Sequence, residues 1–377
     1  MSLRGTGQGG HVARLREALS VLCSAGMLHP RVLTSLRSAT GRLGPTIAAG
    51  IVAAAERTPD SVAIVDDVRQ VTFRTLDARS NAIAHGLAAL GVGEGDAVGL
   101  FCRNHVGFAE ATVALSKLGA NTLLLNTGFG ARQLGEVAVR EGVKLLVVDE
   151  EFVPLAAEGA PNLPVVLGWH EGVPAGPTLE GLATAHPMEA PAAPGRPGRT
   201  TVLTSGTTGM PKGAKREAKQ TSLDTLIGLF GRLPLCAGTK SFIVAPMFHS
   251  WGGFHLLMSG LLGCTVVVRR RFDPEDTLAA IAQHQPRLVA VVPVMLQRIL
   301  QLPADVIRRY DTSSVRVVAA SGSALPGELA LRWMNAFGDT LYNFYGSTEV
   351  AQATIAMPDE LRAAPGTAGR PPAAVCA

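Results

Sequence analysis

The sequence predicts an α/β protein with two doubly wound, mostly parallel sheets and flanking helices. Three observations lead to this fold class. Short apolar or β-branched runs alternate with helix-period segments from residue 60 onward, the alternation breaks at residues 171–198, and it resumes after residue 200. A chain of 377 residues also exceeds one ordinary core, so two or three structural units are expected.

The first unit is predicted from four strand-like runs, with segments 75–90 and 106–118 showing helical periodicity between them. These runs are Val62–Val65, Ala97–Phe101, 123–125 and 145–148. Prolines and glycines then mark 171–198 as an irregular linker. Six further runs predict the second unit: 201–203, 242–245, Thr265–Val268, 288–292, Val317–Ala320 and 341–344. We therefore divide the chain into a basic amphipathic extension at 1–44, a first subdomain at 45–190 and a second at 191–377.

The extension accounts for the net positive charge of the chain. Residues 1–44 hold six arginines against Glu17 alone, whereas the whole chain has a net charge of +4. Apolar residues recur with helical spacing at 11–24, with arginines between them, which is typical of a basic amphipathic helix. Such a helix packs on its own protein or, alternatively, binds an anionic membrane surface.

The composition argues against several classes of protein. The five cysteines are scattered and form no C-x-x-C pair, which is typical of a reduced cytosolic protein. No apolar stretch reaches the roughly 18 to 20 residues of a membrane span, and charged residues interrupt the place of a signal peptide. We expect a cytoplasmic protein that does not bind nucleic acid, because the excess of basic over acidic residues is confined to the start and few aromatics accompany it.

A glycine-rich loop follows the run 201–203. Residues 204–213 read Thr-Ser-Gly-Thr-Thr-Gly-Met-Pro-Lys-Gly, so bare backbone amides, hydroxyls and one lysine are concentrated in ten positions. This combination favours an anion such as a phosphate chain. It is not a Walker loop, because Lys212 is followed by Gly213 rather than by Ser or Thr. The candidate ligands are Thr204, Ser205, Gly206, Thr207, Thr208, Gly209 and Lys212.

A second candidate segment ends the run 341–344. Residues 342–349 read Tyr-Asn-Phe-Tyr-Gly-Ser-Thr-Glu. Tyr345 can stack on a base, Thr348 can contact a phosphate, and Glu349 can hold the Mg²⁺ that accompanies nucleotide triphosphates.

Taken together, T-S-G-T-T-G-x-P-K-G and the downstream Y-G-x-T-E resemble the adenylate-forming superfamily, which contains acyl-CoA synthetases, firefly luciferase and peptide-synthetase adenylation domains. The resemblance covers nearly all of residues 46–372. Residues 246–251 (Pro-Met-Phe-His-Ser-Trp) resemble the loop that borders the acyl pocket, and residues 321–326 (Ser-Gly-Ser-Ala-Leu-Pro) resemble the segment that lines the adenine.

The resemblance implies that ATP, Mg²⁺ and coenzyme A act with a carboxylic acid. A carboxylate oxygen attacks the α-phosphate, pyrophosphate leaves, and a thiol then captures the acyl-adenylate. It implies catalytic roles for Lys212, His249, Thr348 and Glu349, with Glu349 holding the metal. It places the adenine and the nearby phosphates at Ser323, Ala324, Tyr345, Gly346 and Thr348.

The acid is predicted from the residues after His249. Amino-acid-activating relatives carry a carboxylate there, whereas this chain reads Ser-Trp-Gly-Gly-Phe, so an unpaired ammonium would be costly to bury. Glycines and leucines at 252–261 favour an apolar channel, and we expect a medium- or long-chain fatty-acid–CoA ligase. The alternatives are an aryl- or short-chain-acid–CoA ligase, an acyl-AMP ligase that loads a carrier protein, or a nucleotide-binding module without catalysis.

The pattern stops at Ala377, before the family's ribose-binding aspartate and its C-terminal lid domain. We therefore expect the N-terminal portion of a longer enzyme, with poor turnover by this chain alone.

Overall fold

The computed structural model describes residues 19–204, 212–215, 230–347 and 351–371, and these form one six-stranded and one eight-stranded sheet. The strands are β1 (Val62–Val65), β2 (Gln70–Thr72), β3 (Ala97–Phe101), β4 (Asn121–Leu124), β5 (Val143–Asp149), β6 (Val165–Trp169), β7 (Thr200–Thr204), β8 (Lys212–Lys215), β9 (Lys240–Ile243), β10 (Thr265–Val268), β11 (Leu288–Val291), β12 (Val317–Ala320), β13 (Leu341–Ser347) and β14 (Ala351–Ala356). The described helices are α1 (Pro30–Leu43), α2 (Ile47–Arg57), α3 (Phe73–Ala89), α4 (Val106–Lys117), α5 (Ala131–Arg140), α6 (Val153–Gly159), α7 (Leu179–Ala185), α8 (Ser250–Leu262), α9 (Pro274–His284), α10 (Pro293–Ile299), α11 (Ala304–Ile307), α12 (Gly327–Phe337) and α13 (Pro358–Ala363).

Both sheets are mostly parallel. The smaller sheet has the order β6-β5-β3-β4-β7-β8, and β8 pairs antiparallel with β7 at its edge. The larger sheet has the order β14-β13-β12-β11-β9-β10-β1-β2, with antiparallel pairs at its two edges. Parallel neighbours need crossover connections, and helices supply most of them here. The predicted fold class is confirmed.

The two sheets do not divide the chain at residue 190. β1 lies beside β10, with Ile64 opposite Val266, so β1 and β2 belong to the larger sheet. β7 lies beside β4, with Val202 opposite Leu124, so β7 and β8 belong to the smaller sheet. Local hydrophobic runs predicted β1, β7 and their neighbours β4 and β10, but the partner of a strand is set by long-range packing that the local pattern does not encode.

One buried cluster contains residues of both sheets. It contains Leu100 and Val147 of the smaller sheet, Ile243 and Val266 of the larger sheet, and Phe108 of α4. The carboxyl ends of the strands in both sheets are therefore held in a fixed relation by buried apolar contacts.

The predicted linker at 171–198 is irregular except for α7. Thr178 caps this helix by accepting a hydrogen bond from the Gly181 N–H at 2.8 Å. A Cβ on Gly86 would lie 2.9 Å from Leu182 Cβ, so glycine at this position lets α3 approach α7 closely.

The described part of the basic extension packs on the protein. Val21 and Leu22 contact a buried cluster that contains Phe230 and Leu262. This agrees with the packing alternative, although most of the predicted amphipathic segment falls within 1–18, outside the described residues. Within the part of the chain that the structure covers, no helix combines the length and apolarity required to cross a bilayer.

Candidate active site

Three segments lie at the carboxyl edge of the larger sheet. They are residues 244–249 after β9, residues 321–326 after β12, and residues 345–347 at the end of β13. Carboxyl ends of parallel strands share one edge, which is where such sheets bind ligands. The Ser321 hydroxyl donates to the Phe344 carbonyl oxygen at 2.9 Å and connects the second segment to the third. This edge carries five predicted site residues: His249, Ser323, Ala324, Tyr345 and Gly346.

His249 occupies the N-cap position of α8. Its backbone N–H donates to the Pro246 carbonyl oxygen at 3.2 Å, and its ring lies 4.5 Å from the Phe248 ring. The side chain reaches solvent, yet the surrounding protein removes enough water to lower its pKa below the ordinary value. The imidazole is therefore mostly uncharged at pH 7, and its ring N–H can donate a hydrogen bond to a carboxylate without forming an ion pair.

The residues assigned to the adenine are accessible. The Tyr345 side chain is 62% exposed on β13, and Ser323, Ala324 and Gly346 are also exposed. An exposed aromatic ring at a strand end offers a free face for a planar ligand. Thr348 and Glu349 follow directly after β13 but lie outside the described residues.

The glycine-rich loop connects two paired strands. Thr204 ends β7, Lys212 begins β8, and these two residues are register partners. Sequence analysis did not predict that Lys212 begins a strand. The intervening candidates Ser205, Gly206, Thr207, Thr208 and Gly209 lie outside the described residues, but the ends of their loop are fixed at the carboxyl edge of the smaller sheet.

The carboxyl edges of the two sheets meet at residues 102–106, which we call the junction loop. This loop follows β3, and its Val106 N–H donates to the Asp66 carboxylate after β1 at 2.9 Å. A second contact joins Glu151, after β5, to Arg270, after β10, at 2.9 Å. The edge that carries Thr204 is therefore adjacent to the edge that carries His249.

Sequence analysis missed His255, one turn along α8 from Trp251. The Trp251 indole N–H donates to the Val291 carbonyl oxygen at 3.0 Å, and its ring lies 4.7 Å from Phe344. His255 packs edge-on against Trp251 at 4.4 Å and is 3% exposed. Burial lowers its pKa to about 3, and its Nε2 has no hydrogen-bond partner among the described residues. The only signal in the sequence was that His255 follows Trp251 by four residues on an apolar helix. This spacing places both side chains on one face of the helix, and it is equally typical of core residues.

Two cavities bear on where the active site lies. His255, Ser241 and Ser259 line one of about 10 Å³ beside α8, which is room for about one water molecule. The other, of about 420 Å³, lies away from the strand ends, where Lys117 and Arg42 contribute to its walls. Lys117 pairs with Asp77 at 2.6 Å and Arg42 pairs with Glu56 at 3.3 Å, so these cations are already neutralised. The larger cavity is not the candidate active site.

A buried cluster of Cys102, His105 and Asp149 contains potential metal ligands. The Phe108 N–H donates to His105 Nδ1 at 3.2 Å, so the ring proton belongs on Nε2, which donates to Asp149 at 2.8 Å. A metal on Nε2 would move that proton to Nδ1, facing the Phe108 N–H. Burial also raises the pKa of the Cys102 thiol, which disfavours the thiolate that a metal requires. This arrangement is a hydrogen-bonded support for the junction loop.

Comparison with known proteins places the chain in a family. The model of the AMP-binding enzyme family matches residues 51–377. A feruloyl-CoA synthase of Amycolatopsis sp. is 30% identical over 308 residues, which is 80% of this chain and 59% of that protein. A 3-hydroxybenzoate–CoA ligase of Aromatoleum sp. (strain CIB) is 27% identical over 348 residues, or 89% of this chain and 64% of that protein.

A solved structure gives the same result. The anthranilate CoA ligase AuaEII in complex with anthranoyl-AMP superimposes with a TM-score of 0.77 and 25% identity, covering 87% of this chain and 64% of that one. The chain thus spans about three fifths of the length of these relatives. Since the family model covers most of its residues, this protein belongs to the AMP-binding enzyme family.

Proposed function

We propose that this chain carries the nucleotide and acid sites of an AMP-forming acid–CoA ligase whose substrate is an aromatic carboxylic acid. The observation that carries the proposal is that the family's loops lie at adjoining strand ends, with the ends of the glycine-rich loop on one sheet and His249 and Tyr345 on the other. A ligand at this edge can contact both sheets at once.

The reaction has two steps. A carboxylate oxygen attacks the α-phosphorus of ATP, the bond to the β-phosphate oxygen breaks, and pyrophosphate leaves. The thiol of coenzyme A then attacks the acyl carbon, AMP leaves, and the thiol proton is released. The protein mainly positions reactants and neutralises charge in such transfers.

We assign the triphosphate to the glycine-rich loop, with Thr204, Ser205, Thr207, Thr208 and Lys212 as ligands. Thr348 contacts the α-phosphate, and Ser323, Ala324, Tyr345 and Gly346 border the adenine. His249 borders the acid carboxylate.

Glu349 is the proposed metal ligand. It follows the last residue of β13 by two positions in the sequence, and a carboxylate oxygen is the ligand type that Mg²⁺ prefers. When bound, Mg²⁺ would supply charge neutralisation to the phosphates.

Aromatic acids are favoured over fatty acids for two reasons. The curated relatives named above are a feruloyl-CoA synthase and a 3-hydroxybenzoate–CoA ligase, and they give the fatty-acid expectation no support. In addition, the rings of Trp251 and Phe344 lie 4.7 Å apart between α8 and the sheet, two residues after His249 and one residue before Tyr345 in the sequence. Aromatic rings pack well against a planar substrate ring.

His255 extends this argument to ring substituents. Its buried Nε2 lacks a partner among the described residues, which is costly for a polar atom. The cavity beside His255 has room for one water molecule, and a hydroxyl group of a substrate ring that replaced this water would hydrogen-bond the nitrogen, whereas an alkyl chain would leave it unpaired. We therefore infer a hydroxylated aromatic acid as the preferred class.

The experiment is acid-dependent exchange of pyrophosphate into ATP, measured with hydroxybenzoates, hydroxycinnamates, acetate and saturated fatty acids. We expect the highest kcat/KM with a hydroxylated aromatic acid. Highest activity with a long-chain fatty acid would contradict the substrate assignment, and no exchange with any acid would contradict adenylation by this chain. Adding coenzyme A or a carrier protein to preformed adenylate separates the two thiol acceptors.

A His255→Phe variant provides the matched control for the ring substituent. It should reduce exchange with hydroxybenzoate while preserving exchange with unsubstituted benzoate. Equal losses with the two acids would remove the role given to Nε2.

A further inference from the structure

The side chain of Asn104, in the junction loop, crosses from the smaller sheet to the larger one. Asn104 is 5% exposed. Its Nδ2 donates to the carbonyl oxygens of Ala245 at 3.0 Å and Ile243 at 3.4 Å, and its Oδ1 accepts from the Met247 N–H at 2.7 Å. The buried amide group therefore uses both of its polar atoms on one backbone segment.

That segment leads directly to His249. β9 ends at Ile243, and the hydrogen bonds of Asn104 reach this residue and every second residue after it up to Met247. This spacing is the one by which residues on one side of an extended strand recur. One residue, Phe248, separates Met247 from His249 at the N-cap of α8. A Cβ on Gly252 would lie 2.3 Å from the Pro246 carbonyl oxygen, so the first turn of α8 lies directly on the same segment.

The other end of the connection is rigid. The Arg103 N–H donates to the Asp149 carboxylate at 3.0 Å, and His105 donates to the same carboxylate at 2.8 Å. The Val106 N–H is held by Asp66 at 2.9 Å. Hydrogen bonds thus hold both neighbours of Asn104 in the junction loop. The backbone position of Asn104 is therefore fixed relative to the smaller sheet, while its side chain binds the segment that leads to His249.

We propose that Asn104 is a positioning residue that couples the phosphate-binding edge of the smaller sheet to His249 at the acid site. The proposal rests on the function proposed above. Adenylation requires the acid carboxylate and the α-phosphate to meet in one geometry, although their binding residues belong to different sheets. Asn104 fixes the separation of those two edges.

The first test is a double-mutant cycle on acid-dependent pyrophosphate exchange. Asn104→Ala should lower kcat/KM for the acid by about 10- to 100-fold, the size expected for a reactant displaced by about 1 Å. In a His249→Ala background the same substitution should cost less than about twofold, because its effect acts through His249. An equal loss in both backgrounds would overturn the proposal.

Asn81→Ala is the matched control. Asn81 is also 5% exposed and donates to the Met188 carbonyl oxygen at 2.8 Å, but it lies on α3 away from the His249 segment. Asn81→Ala should lose about as much stability as Asn104→Ala and keep the wild-type kcat/KM. If Asn104→Ala does not fold, Asn104→Asp replaces it, since this variant keeps the acceptor for Met247 and places a carboxylate against two carbonyl oxygens.

The second test does not require activity. Proton NMR titration of His249 should show its pKa rising toward the ordinary value in the Asn104 variant, because a displaced segment admits water to the ring. Asn81→Ala should leave the titration unchanged. An unaltered His249 titration in a folded Asn104 variant would overturn the proposal, even if the wild-type chain shows no exchange and the proposed function fails.

Discussion

Acidification should destabilise this protein through His255. The folded-state pKa of about 3 lies below the ordinary 6.5, so the unfolded state binds more protons between these values and stability falls as pH falls. One pKa unit corresponds to about 1.4 kcal/mol, so the full effect approaches 5 kcal/mol. Between pH 7 and pH 5, His255 alone should remove about 2 kcal/mol from the free energy of unfolding.

Urea denaturation of the wild type and of His255→Leu at both pH values measures this contribution. The variant has no imidazole to protonate, so its stability relative to the wild type should improve by about 2 kcal/mol on acidification. Leu256→Ala serves as the packing control. Leu256 is 5% exposed on the same helix, and its loss should cost the same free energy at both pH values.

One result would refute this reasoning. If the wild type and His255→Leu lose equal stability between pH 7 and pH 5, His255 is not held uncharged in the folded protein. The argument that a substrate hydroxyl satisfies its Nε2 would then lose its basis.

Three further predictions concern packing, charge and the nucleotide. Trp251→Ala should lower the free energy of unfolding by about 4 kcal/mol in urea denaturation, because Trp251 is only 9% exposed. The variant should also accept bulkier acids in the exchange assay, and an unchanged acid preference would contradict the role of this ring. Glu110→Ala should lower the free energy of unfolding by about 3 kcal/mol, because Glu110 is fully buried and pairs with Arg69 at 2.9 Å and Arg79 at 2.6 Å. A loss below about 1 kcal/mol would contradict the stabilising role of this buried ion-pair network. Lys212→Ala and Glu349→Ala should each weaken binding of Mg²⁺–ATP by about 1.5 to 3 kcal/mol in calorimetry, and unchanged affinity in both would remove these assignments.

Local sequence was sufficient to predict ten of the fourteen strands in the described residues, but not β2, β6, β8 or β14. Runs such as Val62–Val65 and Val317–Ala320 are apolar and β-branched, and each forms a strand with those bounds. The sheet to which a strand belongs was not predictable in the same way. β1 pairs with β10 about 200 residues later, and no local pattern specifies such a partner.

Part of the candidate site was also predictable. His249 and Tyr345 follow strand-like runs, and the convergence of parallel strand ends placed them at one edge. Asn104 could not be assigned, because its partners are 139 to 143 residues away and a single asparagine after a strand is an ordinary turn residue. His255 was hidden for a different reason, since an apolar helix gives no sign of a nitrogen left without a partner.

The most direct measurement is a crystal structure of this chain with Mg²⁺–ATP. We expect the triphosphate to contact residues 204–213, the adenine to lie beside Tyr345, and the metal to bind Glu349. Nucleotide bound elsewhere, for example in the 420 Å³ cavity beside Lys117, would contradict the assignment of the active site to the meeting edges of the two sheets.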